Sequence, residues 1–168
     1  MKKNLIILFL MITFPIKAFA LIEVDITRGN LNPLPLAVSP LSIDDKSKTS
    51  FEKILKKENI GSEISIIVEN NLRTSGLFNP LNKDAFLQAP DIANLKPRFE
   101  DWNLIKAQAL ITGKVTYVDE KLRVEFRLWD ILAAKEMMAL AFTTVPSNWR
   151  RVGPVSYTHL TLPTIRMV

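Results

Sequence analysis

Residues Leu21-Ile22-Glu23-Val24-Asp25-Ile26-Thr27 alternate without interruption, with apolar side chains at 22, 24 and 26 and polar ones at 23, 25 and 27. That period of two predicts a strand with one buried face. Arg28-Gly29-Asn30 reads as a turn. Leu34-Pro35-Leu36-Ala37-Val38-Ser39-Pro40 is a second extended run, and its prolines remove ladder donors, which predicts short pairing or an edge position. Residues 44–50 are polar and charged and read as a solvated loop. Phe51, Ile54 and Leu55 then recur at helical spacing among Lys53, Lys56 and Lys57. With Glu52 and Glu58 beside them, those lysines fit a solvated helix face better than a phosphate site.

The strongest helical pattern runs from Ser62 to Ser75, where Ile64, Ile67, Val68 and Leu72 share one face. Ser62 is the expected cap, and Gly76 the expected left-handed stop. Asn71 lies close to the apolar face and is expected to hydrogen-bond a neighbouring loop. Residues 77–81 form a short extended segment with a proline turn, and 85–97 a loop or fragment of helix. Phe99, Trp102, Leu104, Ile105 and Ala109 suggest a short amphipathic helix running into a strand. Residues 109–118 are rich in β-branched side chains, and 122–130 alternate over nine residues, so 109–130 reads as a hairpin. A third strand follows over 134–144, and Ser147 is expected to cap a further helix at Trp149-Arg150-Arg151. The predicted fold class is therefore α/β: a mixed β-sheet with helices packed on it, most simply on one face.

Both ends of the 168 residues differ from this body. Met1-Lys2-Lys3 precedes an apolar run of about ten residues, Pro15 breaks it, and Ala18 and Ala20 stand at −3 and −1 of a cut after Ala20. This is the layout of a secretory signal peptide over residues 1–20, and its apolar run of about ten residues is too short to span a ~30 Å hydrocarbon core as a helix. The mature chain is expected in the periplasm, not membrane-spanning after cleavage. Residues 153–168 lose all amphipathic design and hold the sole histidine, His159. They resemble translated adapter read-through seen on unrelated sequences, which predicts a non-native tail on a longer native chain.

Charge changes the picture once it is divided. The net +5 comes largely from the two ends, since residues 21–152 carry 18 Lys and Arg against 17 Asp and Glu. A near-neutral body argues against nucleic-acid binding. The absence of cysteine removes disulfides and thiolate chemistry. No phosphate-cradling glycine loop and no GxSxG elbow occurs. Asp44-Asp45 and Asp119-Glu120 read as solvated turns rather than acid–base pairs. Trp102, Trp129 and Trp149 fit core packing better than a stacking surface. The residues alone thus point to a secreted binding or scaffolding domain without catalytic, cofactor or metal sites.

Residues 64–81, and Leu72-Arg73-Thr74-Ser75-Gly76-Leu77-Phe78 at their centre, resemble the helix-and-turn signature of the TolB N-terminal domain family. Trp102 to Val115, Phe126-Arg127-Leu128-Trp129-Asp130, Trp149-Arg150-Arg151, Leu21 to Thr27 and Leu36-Ala37-Val38-Ser39-Pro40 are similar in the same order, so the likeness spans 21–152. The resemblance implies a periplasmic component of the Tol–Pal cell-envelope system, which supports outer-membrane integrity and cell division and helps colicin import. In that family a six-bladed β-propeller follows and binds the lipoprotein Pal. The propeller has no counterpart in these residues, and the domain's last helix is cut after its first turn. Carried over position by position, contact with the C-terminal domain of TolA falls on Leu21, Ile22, Glu23, Val24, Asp25, Ile26 and Thr27. Two alternatives remain open at this level: a periplasmic small-molecule carrier, and the accessory domain of a hydrolase whose catalytic part lay downstream.

Overall fold

The computed structural model describes residues 32–154. The expected strand 21–27, the expected leader 1–20 with Ala18 and Ala20, and residues 155–168 lie outside the described residues. In chain order the elements are β1 (Leu34–Val38), β2 (Ser42–Ile43), α1 (Asp45–Leu55), α2 (Ile60–Thr74), β3 (Phe78–Pro80), a 3-10 turn (Lys83–Ala85), α3 (Pro90–Leu95), α4 (Phe99–Leu104), β4 (Ala109–Val118), β5 (Lys121–Asp130), β6 (Lys135–Thr144) and a second 3-10 turn (Pro146–Arg151).

One six-stranded sheet collects the strands in the order β3-β1-β4-β5-β6, with β2 also on β4. β1 pairs parallel with β3 and β4, whereas β4, β5 and β6 form an antiparallel meander. The two parallel crossovers run in opposite directions across the sheet, β1 to β3 and then β3 to β4. Right-handed crossovers in opposite directions place their helices on opposite faces. On the first face, Phe51 of α1 and Ile64, Val68 and Leu72 of α2 pack on Val38, Ile111, Val124 and Phe126. On the second, Trp102 of α4 joins Ala37, Leu110, Trp129 and Ile131. The mixed sheet is as expected, but helices on one face alone are not. Alternation along β4 and β5 is compatible with either outcome, because Leu110 and Trp129 carry the second core on otherwise polar rows.

β1 has the short pairing its prolines suggest, yet it lies inside the sheet, not at an edge. Pairing of β1 with β4 begins at Leu36↔Ala109, so the ladder asks no donor of the Pro35 nitrogen, while the Pro35 carbonyl accepts from Gln108 N–H (3.0 Å). Between Val38↔Ile111 and Ser42↔Lys114 the first strand gains one residue, and Pro40 falls in that irregular stretch. Residues 45–50 are helix rather than loop. α2 starts at Ile60, not Ser62, with Asn59 as a cap that makes no side-chain bond. The turn after β6 is capped by Val145 rather than Ser147, and residues 152–154 remain helical, so Gly153-Pro154 does not end it there. All three tryptophans are buried in the two cores, as expected. Met138, Leu140 and Phe142 on β6 are only half-buried against the first core.

Candidate partner-binding site

The family-like signature has a physical basis in the end of α2. Leu72 is buried, while Arg73 turns outward to Glu69 (2.7 Å), which also holds Lys83 (3.1 Å). Ser75 Oγ donates to the Leu72 carbonyl (2.6 Å) and accepts from Leu77 N–H (3.2 Å). Gly76 takes φ +73°, and the chain reverses directly into β3, where Phe78 pairs with Leu34. Leu34 N–H then donates to the Leu77 carbonyl (2.9 Å). The signature thus anchors the start of β1 at Leu34. Asn71 departs from expectation: its Nδ2 is buried and has no hydrogen-bond partner among the described residues.

The acidic pairs also resolve. Asp119 and Glu120 both have positive φ (49° and 58°) and form the two-residue hairpin loop between β4 and β5. Asp44 caps α1, accepting from Ser47 N–H (2.9 Å) and Ser47 Oγ (3.0 Å). The Ser47 backbone bond is the main influence holding its carboxyl below the usual value, aided by the Ser47 hydroxyl and the Lys114 ammonium, with burial opposing. Ser47 Oγ in turn accepts from Tyr117 N–H (2.9 Å), tying the helix start to β4.

Residues that sequence patterning does not bring together meet beside this corner. Ser42, Ile43, Asp44 and Asp45 face Asp91, Asn94 and Leu95 of α3 and Lys114 of β4 around a cavity of about 390 Å³. α3 is held there by Arg127, whose Nη1 donates to the Asn94 carbonyl (3.2 Å). The buried Gln88 fixes the chain before α3, its Oε1 accepting from Arg98 N–H (3.1 Å) and Trp102 Nε1 (2.9 Å). The one advance signal is the Asp44-x-x-Ser47 spacing of a capped helix start. Among the described residues no group of three or more His, Cys, Asp or Glu could hold a metal ion, and no helix is long and apolar enough to cross a membrane.

A mixed sheet covered on both faces, with a signature-bearing turn feeding its first strands, defines an α/β domain. The chain belongs to the TolB amino-terminal domain family, which matches over residues 22–137. It is 83% identical over 153 residues, 91% of its length, to the Tol-Pal system protein TolB of Pelagibacter ubique (strain HTCC1062). The chain spans 34% of that relative. The crystal structure of TolB from Acinetobacter baumannii shares the fold at a TM-score of 0.55 and 18% identity, over 74% of this chain and 26% of that one.

Proposed function

We propose that this chain is a non-catalytic interaction module of the Tol–Pal cell-envelope system. It acts in the periplasm after removal of residues 1–20. Its segment Leu21 to Thr27 binds the C-terminal domain of TolA by adding as a strand to a sheet edge of that partner. Backbone hydrogen bonds supply the affinity in such a mode, and alternate side chains supply the specificity. Through this contact the module supports outer-membrane integrity and cell division, while Pal contacts belong to the propeller of the longer family members. The single observation that carries the reading is the 83% identity to a Tol-Pal system protein across most of the chain. The alternation over 21–27 supports the choice of segment, because Ile22, Val24 and Ile26 offer one apolar face free of breaks.

The test is a calorimetric titration of the chain with the TolA C-terminal domain. Replacing Ile22 and Val24 with Asp is expected to weaken binding at least about tenfold, because two apolar contacts of roughly 1 kcal/mol each are lost and charge is added. An unfolding midpoint left in place by the two changes separates lost contact from lost folding. Unchanged affinity would sink the assignment of 21–27.

A further inference from the structure

The cleft between α3 and the β2–α1 corner is acidic in a body whose charges nearly cancel. Its lining holds three carboxylates, Asp44, Asp45 and Asp91, against one ammonium, Lys114. Lys114 Nζ stands 3.9 Å from Asp44 Oδ2. Asp45 and Asp91 form no ion pair among the described residues. Beside these charges, α3 presents aliphatic side chains outward: Leu95 is 78% exposed and Ile92 52%. One turn separates these two residues, so they share one side of α3. An exposed aliphatic pair bordering an acidic concavity is the surface complement of a segment carrying a cation and an aliphatic anchor.

We propose that this cleft docks a cationic, leucine-rich segment of a partner protein, a lysine or arginine entering between Asp45 and Asp91 while an aliphatic side chain covers Leu95 and Ile92. The described lining includes none of Leu21 to Thr27. The inference rests on the chain being an interaction module, but not on TolA binding. Loss of the TolA interaction and loss of this docking are therefore separate results.

Two twelve-residue peptides serve as probes, one alternating leucine and lysine, the other leucine and glutamate, each titrated into the isotope-labelled chain and followed by amide NMR. The lysine peptide is expected to shift resonances at 42–45, 91–95 and 114, with affinity falling as salt rises through the range that shortens the Debye length below about 8 Å. The exposed changes Asp91→Asn and Leu95→Ser together should weaken it about fivefold, and Lys114→Gln should tighten it about twofold. The tightening keeps the test independent of any loss of folding. Equal binding of the glutamate peptide, or shifts spread over the surface, would overturn the proposal. So would movement of the 42–45 and 91–95 resonances on Ile22→Asp with Val24→Asp in the absence of peptide, which would seat the chain's own N-terminal segment in the cleft.

Discussion

Asp44 and Gly61 fix the start of each long helix, and each makes a measurable demand. Asp44→Ala removes the cap of α1 and should cost about 1 kcal/mol at neutral pH. Its carboxyl lies below the ordinary 3.8 in the folded protein, so folding favours the ionised form. That contribution is complete above about pH 4 and is lost as the pH falls through the lower folded value. Urea unfolding of both proteins from pH 7 down to pH 2.5 should therefore show the difference shrinking only in acid. Gly61 lies in the first turn of α2, where helix propensity alone would favour alanine. A Cβ there would overlap the Leu41 carbonyl oxygen and sit 3.2 Å from Ile43 Cγ1. Gly61→Ala is expected to destabilise by about 2 kcal/mol, read from the thermal midpoint, because backbone cannot yield as a side chain can. The glycine's role is not visible in sequence, and the cap's one signal is the Asp44-x-x-Ser47 spacing. The cap hides among polar residues that pattern alone assigns to a loop, and the glycine's neighbours lie about twenty residues away. Gly76 was legible, since a left-handed stop is a local requirement.

Elements were legible where periodicity had one meaning. β4 and β5 pair over ten positions, from Ala109↔Asp130 to Val118↔Lys121, as the alternation and the intervening turn require. The turn itself is unfavourable, because Asp119 and Glu120 occupy left-handed conformations that Asn-Gly fills with less strain. Asp119→Asn with Glu120→Gly should raise the unfolding midpoint, by about 0.5–1 kcal/mol in stability, with the fold unchanged. α1 was half legible: only Ser47 and Phe51 of its eleven residues are buried, so its polar first half carries little apolar signal. The short α3 buries little, and its position depends on Arg127 and the Gln88 bonds rather than on its own sequence. Gln88→Ala would leave the buried Trp102 N–H without an acceptor, at a cost of about 2 kcal/mol in chemical unfolding.

At the scale of the whole molecule, the order of elements gave the fold class, but not the strand order. Prolines suggested an edge for β1, whereas two parallel partners enclose it, because the crossovers before and after β3 return to its two sides. The same topology covers the second sheet face with Trp102 and forms the acidic cleft from residues some seventy positions apart in sequence. No periodicity reports such a meeting. By contrast, Leu21 to Thr27 is legible only as a local pattern, and its function is a matter of what it pairs with. The most direct measurement is amide hydrogen exchange of the chain with and without the TolA C-terminal domain. Slowed exchange confined to residues 22–26, with β4 and β5 unchanged, is the expected result. Protection elsewhere in the domain, with the exchange rates of residues 22–26 unchanged, would contradict the account.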